Sequence, residues 1–297
     1  MKNFVLIGAA GYIAPKHFQA IKETGNNLLA AMDPHDSVGI LDSYFPDTDF
    51  FTEFERFDRH CEKLKRQGKK IDYVVVCSPN YLHDAHCRFG LRIGADVICE
   101  KPVVLNPWNL EALIEMEKET GKKIYPILQL RYHPEIIALK EKIDNEQSGK
   151  KYKVELKYIT PRGKWYHYSW KGDEHKSGGL AANIGIHFFD LLLWIFGDVV
   201  KVNVLEKSNT KVSGFLELQK AEVQWLLSID SDRLQRKYVS GAKSFRVLII
   251  DGVAIDLSNT FENLHTMTYN NILNNSGLNL SDAVKSIDLV YNIRNMK

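Results

Sequence analysis

Three groups of residues in this chain combine types and spacing that can do chemistry. The first is Asp96-Val97-Ile98-Cys99-Glu100-Lys101-Pro102, a short apolar run that ends in a carboxylate, an ammonium and a proline. Such a run reads as a buried parallel strand, and open α/β sheets place their ligands at the C-terminal ends of their strands. Lys101 would project from that edge, with Pro102 stiffening the turn that follows. The second group is Ser177-Gly178-Gly179-Leu180-Ala181-Ala182-Asn183-Ile184-Gly185-Ile186-His187, which runs on into apolar Phe188 to Trp194. On a helix, Asn183 and His187 are four positions apart and share a face, and Asp190, one turn further, is placed to orient the imidazole. A histidine there can exchange a proton near neutral pH; its bland alternative is a hydrogen-bonded core residue. The third group is Gly8-Ala9-Ala10-Gly11-Tyr12-Ile13-Ala14, which follows the compact apolar strand Phe4 to Ile7 and precedes a helix-like stretch.

Small residues between a strand and a helix let the backbone approach a pyrophosphate, which then sits on the helix N-terminus. The G-x-x-G-x-x-A spacing has alanine where a glycine is usual, so context has to support it. A second strand, Leu28 to Met32, ends in Asp33, and a carboxylate roughly 20 residues past such a turn accepts hydrogen bonds from ribose hydroxyls while repelling a 2′-phosphate. NAD is therefore the expected cofactor, preferred over NADP. Its expected contacts are Gly8, Ala10, Gly11, Tyr12, Ile13, Asp33 and Ser37, then Ser78, Pro79, Asn80 and His83 after the strand Ile71 to Cys77, and finally Glu100 and Lys101. Ser78 and Asn80 also suit a helix N-cap. His83, His86 and Cys87 share helical spacing, but no third ligand follows at fixed spacing, so no metal is expected.

These groups need elements to position them. Strands alternate with helices over residues 1–121, the pattern of a parallel sheet with right-handed crossovers. Residues 122–297 hold strand-like runs, Lys153 to Ile159, Val200 to Glu206, Val212 to Gln219, Ala221 to Ile229 and Phe245 to Asp251, mostly without helices between them. That is the grammar of an antiparallel sheet. The expected fold is thus α/β: an N-terminal Rossmann domain over 1–121 and a C-terminal α+β domain over 122–297 with a large, open, mostly antiparallel sheet. A polar island, Thr160 to Lys171, interrupts the second domain with four aromatics (Trp165, Tyr166, Tyr168, Trp170) and three cations (Arg162, Lys164, Lys171). It suits a pocket that stacks a base and clamps phosphates or a carboxylate, and Arg131 and Tyr132 are further candidates to line it.

Bulk properties narrow the function class. The 297 residues carry a net charge of +2, which argues against a nucleic-acid partner. The basic stretch Arg56 to Lys70 reads as a solvated helix face. Four cysteines without a C-x-x-C pair suggest reduced thiols. The N-terminus enters a strand with no secretory pattern, and no apolar run approaches the roughly 20 residues of a bilayer span, so a cytoplasmic protein without a membrane partner is expected.

Together the Gly8/Gly11 turn with Asp33, the Glu100-Lys101-Pro102 strand end and the Asn183-x-x-x-His187 helix start resemble the glucose–fructose oxidoreductase / inositol dehydrogenase / MocA (Gfo/Idh/MocA) family. Within it, Gly8 to Pro15, Asp33 to Gly39, Arg162 to Trp170, Ser177 to His187 and His265 to Arg294 resemble the bacterial UDP-N-acetylglucosaminuronate (UDP-GlcNAcA) 3-dehydrogenases. The resemblance implies NAD-dependent oxidation of the C3′ hydroxyl of a UDP-sugar uronate, on a route to a diacetamido-uronic acid of lipopolysaccharide O-antigen. It also implies 2-oxoglutarate as a possible reoxidant of NADH and a homo-oligomer, a tetramer or dimer. Many family members carry Asp where this chain has Asn183, and Asn cannot act as a base. The expected catalytic residues are Lys101, His187 and Asn183: His187 as base, Lys101 beside the same oxygen, Asn183 orienting the sugar. Lys101, Arg131, Tyr132, Arg162, Lys164, Trp165, Tyr166, Asn183 and His187 are the expected substrate contacts. A free-sugar or inositol dehydrogenase and a non-catalytic sensor of NADH or nucleotide sugars are the competing readings.

Overall fold

The computed structural model describes residues 1–146, 149–230, 244–257 and 263–296. The chain divides into two compact units, Met1–Gln129 with Asn263–Ala283, and Leu130–Glu262 with Val284–Lys297.

Unit 1 is built on six strands, β1 (Asn3–Ile7), β2 (Asn27–Met32), β3 (Asp49–Phe51), β4 (Tyr73–Val76), β5 (Asp96–Cys99) and β6 (Ile124–Pro126). Their order in the sheet is β3-β2-β1-β4-β5-β6, and every pairing is parallel. Chain order reverses between β1 and β4, which opens a crevice at the carboxyl ends of those strands. The strands are near-continuous apolar runs because helices cover both faces. The crossovers include α1 (Ala14–Glu23), the short α2 (Leu41–Tyr44), α3 (Phe54–Arg66), α4 (His83–Arg92) and α5 (Pro107–Thr120). On α3, Phe57, Cys61 and Leu64 are buried while Arg56, Arg59, Lys63, Lys65 and Arg66 are exposed, a solvated basic face as expected. All four cysteines are free and buried.

Two segments shift the boundary expected at residue 121. Strand β6 pairs with β5, and Ile124 and Ile127 are fully buried, so the run after α5 completes the first sheet. The chain then returns late: a helix, α10 (Leu264–Leu273), lays Tyr269 and Ile272 into the same core as Phe4, Phe18, Tyr73 and Tyr125. Sequence pattern could not assign this return, because the residues it packs against lie far upstream.

Unit 2 holds α6 (Pro134–Asn145), β7 (Tyr152–Ile159), two single-turn helices α7 (Trp165–Tyr168) and α8 (Glu174–Ser177), and α9 (Ile186–Phe196). Strands β8 (Val199–Lys207), β9 (Lys211–Leu218), β10 (Ala221–Ser228), β11 (Phe245–Ile250) and β12 (Val253–Asp256) follow, and a last helix, α11 (Leu280–Asn295), runs into this unit. The sheet order is β12-β11-β7-β10-β9-β8; only the β7–β10 pair is parallel. One face of the sheet carries α9. Phe189 meets Trp225 edge-on at 5.2 Å, Phe188 meets Tyr158 at 5.1 Å, and a Cβ at Gly185 would stand 2.5 Å from Leu227 Cδ1. Apolar side chains such as Phe215, Val200, Leu205 and Val253 remain exposed elsewhere on the sheet.

The helical stretch Glu174–Phe196 corrects one expectation: by length and composition it is apolar enough to cross a membrane. With 78% of its apolar window buried inside the protein, it serves as the core helix of unit 2.

Buried histidines make unit 1 acid-sensitive. Burial, with a smaller contribution from His83, pushes His86 down to about 4. Burial also lowers His17, against the pull of Glu100. Burial raises Glu100, but hydrogen bonds from His17 and His265 outweigh it and hold the carboxyl well below the usual range. Each group holds its proton less tightly folded than unfolded, so unfolding takes up protons and stability falls as pH falls. For His86 the window runs from its ordinary 6.5 down to about 4, worth roughly 3 kcal/mol across it. His86→Phe keeps the ring stacked on Phe54 (5.2 Å between centroids) but removes the titration. Its melting temperature should fall less between about pH 7 and about pH 5 than that of the wild type; an equal fall would contradict the assignment.

Candidate active site

The nucleotide half of the site begins where β1 enters its turn. Gly8 has φ +99°, and a Cβ there would lie 2.5 Å from the carbonyl carbon of Cys77, so only glycine lets the two strand ends approach. Gly11 is nearly as confined, 3.0 Å from the Gly8 oxygen. Met32 O accepts from the N–H groups of Gly8 and Ala9, and Asp33 Oδ2 accepts from Ala10 N at 3.0 Å. Asp33 Oδ1 accepts from His35 N at 2.9 Å, so this buried carboxylate shapes the turn as well as facing the crevice. A glycine cradle beside a carboxylate, feeding a 10-residue helix, fits a dinucleotide. Tyr12 stands out in solvent, Ile13 precedes α1 as its cap position, and Ser37 is exposed.

Three residues expected to contact the cofactor make hydrogen bonds within the protein. Ser78 Oγ is bonded to His86 Nδ1 at 2.8 Å, so its hydroxyl steadies α4. Neither Ser78 nor Asn80 caps α4: Asn80 opens a short 3₁₀ turn (Asn80–Leu82) behind Pro79, and its side chain is buried. His83 does not face outward. Its ring lies between two backbone carbonyls, Nδ1 2.7 Å from Pro102 O and Nε2 2.7 Å from Ser78 O. Burial dominates and pushes its pKa below the ordinary value, while the two carbonyls and Glu100 oppose this, so the neutral ring donates to one carbonyl at a time. His83 therefore braces the loops after β4 and β5.

Glu100 is the third. Its Oε1 accepts from His17 Nε2 at 3.2 Å and His265 Nε2 at 3.1 Å, and its Oε2 accepts from Lys101 N at 3.2 Å. The carboxylate is 6% exposed and committed to protein partners. The link of His17 and His265 to Glu100 is not visible in sequence because they sit 83 and 165 positions from it. Lys101 itself is half-buried, the one residue of Val97–Val104 that is not buried.

Most of the residues expected to contact substrate lie in unit 2. Residues Ala181–Gly185 form a π-turn that runs into α9, a wider winding often found at functional sites, so Asn183 and His187 are not related by plain α spacing. Asn183 Nδ2 donates to Tyr166 Oη at 2.8 Å, and both residues are buried; burial raises the Tyr166 phenol. His187 is the only residue of Ala181–Leu193 that is not buried. Asp190 takes a two-point ion pair from Arg131, Nε to Oδ2 at 2.9 Å and Nη2 to Oδ1 at 2.6 Å, with both side chains nearly excluded from solvent. That pair anchors the start of unit 2 to α9, a structural duty for a residue expected to contact substrate; Tyr132, beside it, is half-buried.

The polar island divides by exposure. Tyr166 points inward, whereas Arg162, Lys164 and Trp165 are exposed and Lys171 lies 5.4 Å over the Trp165 ring. Tyr166 also lines a cleft of about 520 Å³ in unit 2, together with Lys171, Gly179, Lys207, Asn209 and Arg294.

Comparison with known proteins agrees with this geometry. Residues 2–127 match the profile "Oxidoreductase family, NAD-binding Rossmann fold" and residues 140–224 its "C-terminal alpha/beta domain". The WlbA (WbpB) dehydrogenase from Thermus thermophilus, solved in complex with NAD and alpha-ketoglutarate, is 45% identical, covering 100% of this chain and 96% of its own, with a TM-score of 0.94. This chain is a member of the Gfo/Idh/MocA oxidoreductase family. The same Thermus enzyme solved in complex with NAD and UDP-GlcNAcA matches at 44% identity and the same TM-score. A putative oxidoreductase of Bacillus subtilis, YteT, is 27% identical over 203 residues, 66% of this chain and 47% of its own length. D-glucoside 3-dehydrogenase of Escherichia coli is 28% identical over 128 residues, 43% of this chain and 36% of its own. The chain thus spans about half, or less, of the length of these curated relatives. The protein is an NAD-binding Rossmann member of an oxidoreductase family.

Two substitutions test these placements. Gly8→Ala should cost at least ~2 kcal/mol of stability, from strain at positive φ and a clash with backbone, and should abolish NAD binding measured by fluorescence titration. Asp190→Ala should destabilise by about 3–5 kcal/mol by stranding a buried guanidinium, and Arg131→Met with Asp190→Leu should recover most of that in denaturant melts.

Proposed function

We propose that this protein oxidises the C3′ hydroxyl of UDP-N-acetylglucosaminuronic acid to the 3-keto sugar with NAD. The observation that carries the reading is the pattern of exposure: Lys101 and His187 are each the single half-exposed residue in an otherwise buried run. Burying the neighbours while leaving one titratable group accessible is what a proton-transfer site needs. The substrate is supported by the Thermus thermophilus relative solved with NAD and UDP-GlcNAcA, which matches along the whole chain. The exposed Arg162, Lys164 and Trp165 suit a diphosphate, a carboxylate and a base better than a small neutral sugar.

In this mechanism His187 takes the proton from the C3′ hydroxyl. The Lys101 ammonium stabilises the alkoxide that develops, a task for a fixed cation in a water-poor site. Gly8, Gly11 and Asp33 would hold NAD, which would supply the two-electron acceptor for the C3′ hydride as the alcohol becomes a ketone. Asn183 cannot exchange a proton; through Tyr166 it holds the wall against which the sugar ring is oriented. The reading extends to 2-oxoglutarate as the oxidant that returns NADH to NAD, supported by the relative solved with that acid. It extends further to a cytoplasmic homotetramer whose product, once aminated at C3, serves lipopolysaccharide O-antigen synthesis; resemblance to the UDP-GlcNAcA dehydrogenases supports this part.

Purified protein incubated with UDP-GlcNAcA, NAD and 2-oxoglutarate should yield a 3-keto sugar nucleotide and 2-hydroxyglutarate. Turnover of a free sugar or inositol in its place would contradict the substrate assignment. His187→Ala should lower kcat by a factor of order 10²–10⁴, and near-normal turnover of that variant would remove His187 from the role of base.

A further inference from the structure

We propose that His265 and His17 are positioning residues for Lys101, acting through the Glu100 carboxylate. The inference rests on the role given to Lys101 above and adds the device that fixes it.

The hydrogen-bond pattern admits one consistent proton arrangement. An ionised carboxylate can only accept, so the Nε2 atoms of His17 and His265, both on Glu100 Oε1, carry the protons. A neutral His17 then accepts at Nδ1, where Tyr269 Oη lies at 2.8 Å and donates. Both ring nitrogens of His17 and both oxygens of Glu100 thereby have partners, and a neutral His17 beside an ionised Glu100 agrees with their lowered pKa values. His265 and Tyr269 are four apart on α10 and flank His17 on α1, with the His17 and His265 rings edge-to-face at 5.0 Å.

What this network holds is the backbone on either side of Lys101. Glu100 Oε2 fixes the Lys101 N–H at 3.2 Å, and His83 fixes the carbonyl of Pro102 at 2.7 Å. The Lys101 peptide is thus pinned before and after, and its side chain is the one part left half-exposed. Without the two imidazole donors, Glu100 would be an uncompensated buried charge; it would take a proton or turn away, and the Lys101 N–H would lose its anchor. The return of α10 to unit 1 therefore has a chemical consequence besides packing.

The same three side chains bring their ligating atoms within 4.8 Å of one another, a grouping compatible with a metal ion. The 3.1 and 3.2 Å contacts on a single carboxylate oxygen are hydrogen-bond distances, which favours protons between these groups.

Steady-state kinetics of the full-length protein with UDP-GlcNAcA, NAD and 2-oxoglutarate test the proposal. His265→Phe, which keeps a ring but removes the donor, should lower kcat about 10- to 100-fold while KM for the sugar nucleotide stays within about twofold. His265→Gln, which restores an N–H donor, should recover most of the loss. In a Lys101→Met background His265→Phe should lower kcat no further, because it acts only through Lys101. A further loss in that background would overturn the proposal by marking a general structural role, and normal turnover of His265→Phe alone would also overturn it. Normal turnover of Lys101→Met would instead overturn the functional reading, and this inference with it. Chelation with EDTA should leave kcat unchanged; a loss reversed by zinc would replace the proton network with a metal site.

Discussion

A carboxylate cannot be left alone in a protein interior, and Glu100 is where this molecule meets that constraint. It closes β5, a strand whose other residues are almost wholly inaccessible, and is itself 6% exposed. An isolated ion in such surroundings costs far more than a domain's net stability. The molecule meets the constraint with two imidazoles and one backbone N–H, and the imidazoles come from α1 and α10. Satisfying this charge ties together three parts of unit 1: the strand end, the helix after the glycine turn, and a segment that returns from more than 160 positions downstream. The glycine turn feeds α1, which supplies His17, so the nucleotide cradle and the lysine share one support.

Unit 2 uses a different solution to expose its polar group. The helix that carries His187 is apolar nearly all round and is packed on the sheet through Phe188 and Phe189. Gly185 allows the close approach to Leu227, and the π-turn before it changes the winding over Ala181–Gly185. Two buried polar side chains in this region are paired: Asn183 with Tyr166, Asp190 with Arg131. With those side chains engaged, His187 is left as the half-exposed group of the helix start. In both units the charge of a buried carboxylate is met by neighbouring donors, at Glu100 and at Asp190.

The fold class was legible in the sequence because it depends on local signals. Period-two runs, β-branched strands and the glycine turn are all contained within short windows, and the order of strands in unit 1 follows from right-handed crossovers. Lys101, Asn183 and His187 stood out as candidates for the same reason, since each sits in a short motif. What was not legible depended on partners distant in sequence. Asp190 holds Arg131, 59 positions away. The His83 ring meets the Pro102 carbonyl, 19 positions away. His17, His265 and Tyr269 meet Glu100 and one another across up to 252 positions, so no local pattern shows the network beside Lys101. The boundary at residue 121 slipped because a buried strand of three residues such as β6 has too short a period to declare its sheet.

The central claim is that a hydride leaves C3′ of a UDP-sugar uronate. The most direct test is turnover of UDP-GlcNAcA deuterated at C3′, with bound NAD and 2-oxoglutarate as terminal acceptor, followed by mass spectrometry of both products. The account predicts that the deuterium leaves the sugar and is recovered at C2 of 2-hydroxyglutarate. Deuterium retained on the keto sugar, or released to solvent, would contradict it.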